Sequence, residues 1–214
     1  MTWALNELPV ISARMEHGAE GNWSCTCQVI ADAAPTGAAV LTLPGLTLQG
    51  VVLEAGLTSQ RVTVRLCGGA GKLAVRIPGQ HFAGAQGRLV AQSILQAAGE
   101  ALDPASDAPG LDSLLPHWAY FAGPAGVPLA QLCARLGCSW WMTAEGQVHL
   151  GMLDFPEASP AGALLQDVRA DLKRLAVALE EEALLPRTTY EGRKVLAVDH
   201  TLTPDFWRAR ARYQ

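Results

Sequence analysis

The stretch WSCTCQV, from Trp23 to Val29, alternates apolar and polar side chains. In an extended chain every second side chain lies on the same face, so the apolar members can share a core while the polar ones face water. The alternation continues to Ile77 and is interrupted by turn residues at 35–37 (Pro-Thr-Gly), 44–45 (Pro-Gly), 55–56 (Ala-Gly) and 68–71 (Gly-Gly-Ala-Gly). Short strands separated by such turns predict an antiparallel sheet that curls into a barrel or sandwich.

We therefore predict a first β module at residues 1–78, with about five strands. After the strand that begins at Trp23, the predicted strands are Ala39–Leu43, Leu46–Glu54, Gln60–Leu66 and Leu73–Ile77.

The periodicity changes at residues 79–155, which we predict to form a small α+β insert. An apolar stripe at helical spacing predicts a helix over 88–100. A second helix is predicted over 127–137, because Pro128 suits a first helical turn and Gly137 suits the position just past a helix end.

A hairpin is predicted at 138–151, with its turn at Ala144–Gln147. Strand alternation places Trp140 on the core side of this hairpin and Trp141 on the opposite, more open side. We expect Trp141 to be covered by a neighbouring module or chain.

After a proline-bearing linker at 154–162, strands return and form a second β module at 163–214. These strands are predicted at Leu172–Leu179, Thr188–Tyr190, Lys194–Thr203 and Phe206–Tyr213. The predicted fold class is α+β, mainly β, with two small antiparallel β-barrel or sandwich modules flanking the α+β insert.

Composition limits the classes of function. Half of the 214 residues are hydrophobic and 17% are charged, which is typical of a globular chain. The formal net charge of −4 argues against a general or sequence-specific nucleic-acid binder, which needs a basic surface. The N-terminal MTWALNELPV lacks the features of a signal peptide, and no apolar run approaches the ~20 residues that span a bilayer. We expect a chain made in a cytoplasm, without stable membrane insertion.

The five cysteines stand where apolar residues would fit, so we predict buried, reduced thiols. The pairs Cys25/Cys27 and Cys133/Cys138, with His149 as a further ligand, could be taken for a metal site. Their spacing matches no common zinc pattern, and we predict no metal.

No catalytic constellation is evident. The Gly68–Gly71 loop lacks the lysine and hydroxyl of a phosphate-binding loop and precedes a predicted strand, so a tight turn is favoured. Asp154 and Glu157 lie in the linker, where nothing would raise the pKa of a general acid. We predict no enzyme activity and no cofactor. Two alternatives stay open: a carbohydrate- or peptide-binding module that uses exposed tryptophans, and a hydrolase that acts on the cell wall.

Several segments, in their order along the chain, resemble phage baseplate hub proteins. The first pair is TGAAVLTLPGLTLQGVVLEAG and VTVRLCGGAGKLAVRIP, from residue 36 to residue 78. GRLVAQSILQAAGEAL, LPHWAYFAGPAGVPLAQLCARLGCSWWMTAEGQVHLG and LLPRTTYEGRKVLAVDHTLT follow. The group is the tail-hub and late-control proteins, which are related in fold to the N-terminal half of VgrG.

The resemblance implies a structural protein of a phage or phage-like tail. It implies a homotrimer whose two similar barrels per subunit form a ring that joins the tail tube to the central spike. The implied partners are the tube or distal tail protein, the spike protein and neighbouring baseplate proteins. The implied location is the virion tail, after assembly in the host bacterial cytoplasm. Longer members of the group continue into a domain that carries the spike, and we expect a separate protein or a further part of the chain to supply it.

The last predicted strand carries the candidate interface. At strand spacing, Arg208, Arg210 and Arg212 share one face. The other face carries Trp207, Ala209, Ala211 and Tyr213. Two interpretations are open. The strand is a sheet edge whose arginines keep one face hydrated and block unwanted pairing. Alternatively, its three arginines form a ladder that binds carboxylates of an adjacent subunit or tail protein. With Trp207 and Trp141, these arginines are the predicted interface residues.

Overall fold

A computed structural model describes residues 3–58 and 61–214, so the predicted start of one strand at Gln60 lies outside the described residues. The first six strands follow the order β1-β4-β5-β6-β3-β2, and β2 pairs back with β1, which closes a six-stranded barrel. Their bounds are β1 (Ala4–Leu5), β2 (Leu8–Gly18), β3 (Ser24–Ile30), β4 (Ala38–Leu43), β5 (Leu46–Thr58) and β6 (Arg61–Gly68).

The insert contains two helices and three small pairs of strands. Gly99 and Gly137 follow the two helices with left-handed backbone, φ 85° and 69°, which a residue without Cβ adopts at little cost. Both predicted helices are confirmed within two residues at each end. The elements are β7 (Arg76–Ile77), β8 (Gln80–Gln86), α1 (Gly87–Ala98), β9 (Leu114–Tyr120), β10 (Gly123–Pro124), α2 (Gly126–Leu136), β11 (Ser139–Met142) and β12 (Val148–Gly151).

The second β module is an antiparallel sheet of order β16-β17-β14-β13, with the short β15 beside β16. A single 3₁₀ turn, Ala170–Leu172, precedes β14. Because β16 also pairs with β2, barrel and second module form one 11-stranded sheet. The predicted fold class is confirmed, and the boundaries 1–78, 79–155 and 163–214 stay a prediction. The strands are β13 (Leu164–Arg169), β14 (Arg174–Ala178), β15 (Thr189–Tyr190), β16 (Arg193–Leu202) and β17 (Trp207–Tyr213).

Sequence alternation missed some strands and overextended another. Among the missed strands are β1, β2, β8, β9 and β13. The predicted strand Leu73–Ile77 is wrong over its first part, where the amide of Val75 donates to the carbonyl of Lys72 and closes a turn. Only Arg76–Ile77 is extended and paired.

The cysteines occupy the core, as predicted. Cys25, Cys27, Cys67 and Cys133 are buried, and Cys138 is half-buried. Burial raises the pKa of the Cys67 and Cys138 thiols, which keeps them protonated and unreactive at neutral pH.

A buried aromatic seam joins the barrel to the second module. Trp3, just before β1, meets Trp207 edge-on with ring centroids 5.7 Å apart, and both are 1% exposed. His200 of β16 lies beside both rings. Its Nε2–H donates to the carbonyl of Leu184 (3.0 Å), and its Nδ1 accepts the indole N–H of Trp207 (3.2 Å). This arrangement requires neutral imidazole, because a protonated Nδ1 cannot accept.

Two histidines on neighbouring strands, the buried His200 and the half-buried His17, resist protonation. Burial lowers the pKa of His200 to about 4, although its bond to Leu184 acts in the opposite direction. Burial, with smaller contributions from the nearby His200 and Arg187, lowers the pKa of His17 on β2 to about 3. Both values lie below the ordinary 6.5, so folding favours the neutral rings.

We expect the protein to lose stability as the pH falls from about 6.5 towards 4. In this window the unfolded chain binds protons that the folded chain excludes, so acid favours unfolding. With its folded pKa of about 4, His200 alone should lower the free energy of unfolding by about 3 kcal/mol at pH 4 relative to neutral pH. Urea unfolding at several pH values measures this slope.

The variant His200→Asn isolates the contribution. Asparagine keeps an acceptor near the Trp207 N–H but does not titrate, so the slope should flatten even if the baseline stability drops. The exposed His81 provides the control, because His81→Asn should leave the slope unchanged. A slope that His200→Asn does not alter would contradict the prediction.

Candidate functional site

The three parts of the chain meet at the end of β2. The amide of Ala19 donates to the carbonyl of Leu196 in the second module (2.7 Å). Two residues on, the amide of Gly21 donates to the carbonyl of Trp140 (2.8 Å), and the amide of Met142 donates back to Gly21 (3.0 Å). The hairpin of β11 and β12 is therefore hydrogen-bonded to the barrel at the point where the second module joins it.

Trp141 is covered, although alternation predicted its face to be the more open one. It is 8% exposed. One side of its ring stacks on His149 at a centroid distance of 4.4 Å, and the guanidinium carbon of Arg187 lies 4.2 Å from its centroid. Arg187 lies in the segment predicted as the second module, so in this structure that segment covers Trp141. A ring covered in this way offers no platform for a sugar or peptide.

Trp140, predicted to be a core residue, is only half-buried and packs against the core from its border. The two tryptophans thus differ from expectation in opposite directions, since Trp141 is more buried and Trp140 less buried than predicted. Their alternation across the hairpin is correct, but packing from outside the hairpin decides which one is buried.

His149 is held between two carboxylates. Its Nδ1 lies 2.7 Å from Asp103 and its Nε2 lies 3.3 Å from Asp107. The hydroxyl of Ser106 is committed to the backbone, since it accepts the amide N–H of Leu150. With both ring nitrogens engaged and no activated hydroxyl beside them, the cluster has the geometry of a structural contact rather than of a nucleophile and its base.

Backbone amides in and next to the glycine loop at 68–71 are hydrogen-bonded by a side chain of the protein itself. The carboxylate of Glu100, just after α1, accepts the amides of Ala70 (3.0 Å) and Lys72 (2.6 Å). These N–H groups are the kind that would cradle a phosphate. Here they tie the insert to the barrel.

Of the two candidate carboxylates in the linker, that of Asp154 accepts the amide of Phe155 (2.8 Å). Glu157 forms an isolated bridge with Thr189 through its backbone, and its side chain is exposed. Over residues 3–58 and 61–214, no group of three or more His, Cys, Asp or Glu side chains could hold a metal ion. Of the helices in the same ranges, none is long and apolar enough to cross a membrane.

The predicted interface strand β17 keeps its two faces but not its predicted place in the sheet. Arg210 and Arg212 are exposed and Arg208 is half-buried, whereas Trp207 is buried in the aromatic seam. The expectation that Trp207 contacts a partner is therefore wrong for this structure. The strand is also no edge, because it lies between β16 and β14.

The arginines belong to a charged face that crosses the whole sheet. Arg210 lies opposite Asp199 on β16, and Asp199 lies opposite Glu16 on β2. Arg212 lies opposite Arg174 on β14, and together these side chains line a shallow groove of about 350 Å³. Arg174 and Arg212 have no carboxylate partner within the described ranges. Like charges placed opposite each other repel, so this pair would gain from an external carboxylate.

The sequence matches no protein-family model and no curated protein. Solved structures, in contrast, share its fold. The 43 kDa tail protein of prophage MuSo2 from Shewanella oneidensis is 7% identical, with a TM-score of 0.70 over 99% of this chain and 96% of that one. The tail protein from Neisseria meningitidis MC58 is 9% identical, with a TM-score of 0.67 over 100% of this chain and 96% of that one.

A third similar structure is the c3393 protein of E. coli. It is described as a component of the type VI secretion system with structural similarity to the bacteriophage T4 tail proteins gp27 and gp5. It is 10% identical, with a TM-score of 0.70 over 99% of this chain and 76% of that one. The resemblance to phage baseplate hub proteins is thus confirmed at the level of fold: the chain has the fold of phage tail proteins and of their type VI secretion counterpart.

Proposed function

We propose that the chain is a structural protein of a phage or phage-like tail, a hub that forms a trimeric ring between the tail tube and the central spike. The observation that carries the proposal is the single sheet that runs from the barrel through β2 into the second module. A ring-forming subunit needs a continuous rigid wall, and this sheet provides one. Its fold likeness to tail proteins supports the same role.

The charged face of the sheet suits a wall that meets water or other proteins. Arg14, Glu16, Arg65, Asp199 and Arg210 give this face charges of both signs. Mixed charges keep such a face hydrated without giving it a strong net attraction for nucleic acid.

The proposed partners follow from the similar structures. One of them is a type VI secretion component likened to gp27 and gp5 of bacteriophage T4. We assign this chain a corresponding place in a tail, with contacts to the tube or distal tail protein, a spike protein and neighbouring baseplate proteins. Its location is then the assembled tail, with assembly in the host bacterial cytoplasm.

A structural role also accounts for the chemistry of the side chains. Glu100, His149 and His200 bond to groups of the chain itself, so they hold the three parts of the protein together. We propose that the protein is not an enzyme. A tryptophan-based carbohydrate or peptide site is not favoured, because Trp141 is covered by Arg187.

We expect the protein to form a species of three chains when the tube or spike partner is present. Light scattering coupled to size-exclusion chromatography at tens of micromolar measures the mass. Only monomer in the presence of partners would overturn the hub proposal. A trimer of the protein alone would support it directly.

The arginine face of β17 should contribute to assembly rather than to folding. In the triple variant Arg208→Ser, Arg210→Ser, Arg212→Ser, each replacement should change the free energy of unfolding by no more than about 1 kcal/mol. The reason is that charges at the protein surface contribute only about 0–1 kcal/mol each. Its assembly or docking should weaken, and the defect should depend on salt concentration.

The matched control removes the same charge elsewhere, with Arg76→Ser, Arg135→Ser and Lys194→Ser, three exposed positions outside this face. If the β17 variant and the control assemble equally well at low and high salt, the ladder is a solvated surface only.

A further inference from the structure

The continuous sheet has two unpaired edges, one at each end. Strand β13 pairs with β14 on one side, and its outer side faces no other strand among residues 3–58 and 61–214. At the other end, β4 pairs with β5 only as far as Val51, and the amide of Val52 bonds to the carbonyl of Gly37. From Leu53 to Thr58, β5 has β6 on one side and no described strand on the other.

The two edges run in opposite directions. Eight strands lie from end to end in the order β5-β6-β3-β2-β16-β17-β14-β13, and every neighbouring pair is antiparallel. An even number of alternating strands leaves the two ends antiparallel to each other. A second copy rotated about an axis along the strands can therefore place its β5 edge beside β13 and continue the antiparallel order.

The faces of the two edges also correspond. On β13, Leu165 and Val168 lie opposite buried residues of β14, so they point to the core side. On β5, Ala55 and Leu57 lie opposite the buried Val64 and Val62 of β6 and point to the same side of the sheet. Leu57 is nevertheless 52% exposed, because no described strand pairs with β5 on its outer side at this position.

One register pairs apolar residues on the core face and opposite charges on the polar face. If Arg169 lies opposite Glu54 of the next copy, Val168 lies opposite Ala55. The bulge of β13 between Leu165 and Asp167 then brings Leu165 opposite Leu57. The two edges thus match apolar side chains on the core side and join opposite charges on the polar side.

Neither edge is protected by proline or by a charge that points inward, two of the features that block pairing at natural sheet edges. The bulge of β13, a third such feature, is accommodated in the register given above. Strand β13 (Leu164–Arg169) and the β5 edge (Leu53–Thr58) contain no proline, and their inward positions are the apolar residues named above.

We propose that the β13 edge of one copy pairs with Leu53–Thr58 of the next, in the register that places Leu165 opposite Leu57. The contact is head-to-tail, so repetition closes a ring of sheets. The inference rests on the proposed function, because it names the surface by which hub subunits join.

Paired cysteines test the register. The variant Leu165→Cys, Leu57→Cys, in a Cys138→Ser background, should form disulfides between chains when oxidised glutathione accepts the electrons. Non-reducing electrophoresis of the assembled protein should then show covalent multimers at least tenfold more abundant than in either single variant. The matched control Leu172→Cys, Leu57→Cys places one thiol in the 3₁₀ turn after β13 and not on the paired edge. This position favours the control, because Leu172 is 51% exposed whereas Leu165 is half-buried.

A blocking variant gives an independent measurement. Leu57→Lys points a charge inward at the edge and should reduce the multimer fraction at least tenfold. Ile30→Lys, which replaces a residue 59% exposed on the interior strand β3, should not reduce it.

The outcomes separate the two proposals. Assembly by mass without cross-linking at 57 and 165, and without an effect of Leu57→Lys, overturns the edge pairing and leaves the hub function standing. The absence of any assembly, with partners present, overturns both. Cross-linked multimers of the designed pair alone support both.

Discussion

The structure depends on how the strand β2 divides its hydrogen bonds. One edge pairs with β3 along most of its length. The other edge pairs with β1 at Leu8–Pro9 and with β16 from Ala13 to Gly18. A bulge near Ile11 separates these two parts and bends the strand, as bulges do. Barrel closure and the attachment of the second module therefore use the same strand, and neither can be formed fully without fixing the position of the other.

This shared strand sets the contacts between modules. Pairing of β2 with β16 brings His17 and His200 to the same side of the sheet and lets Trp3 meet Trp207. The end of β2 leads into Gly21, whose bonds to β11 bring Trp141 under Arg187. A slip of one residue between β2 and β16 would place His17 and His200 on opposite faces of the sheet. The aromatic seam and the covered tryptophan are thus consequences of register, and they in turn stabilise it.

The sequence predicts those strands and helices whose position depends on local hydrophobic periodicity and on local turn residues. Strands near Cys25 and Leu41 follow from alternation, and both helices follow from apolar stripes that end at glycine. Strand β13 escapes this approach because its bulge puts the core-facing Leu165 and Val168 three positions apart. The burial of Trp141 and the interior place of β17 depend on residues distant in sequence, Arg187 and the strand β14. Alternation assigns a side chain to a face, but strand order decides what covers that face.

The distribution of unsatisfied groups indicates where the protein acts. Inside the molecule, Glu100 takes up the amides of the glycine loop and His200 takes up an indole and a carbonyl. Carboxylates hold His149 on both sides, so the titratable groups expected of a reactive centre are committed to structure. Some buried atoms, among them Nδ1 of His17 and Nε of Arg187, also lack a hydrogen-bond partner among the described residues. The exposed groups left open lie at the periphery: backbone groups along two strand edges and arginines without carboxylates. Such groups are satisfied by pairing with other chains more readily than by binding a small ligand, because their partners must be an extended strand and a charged surface. These open groups fit the assembly role that we propose.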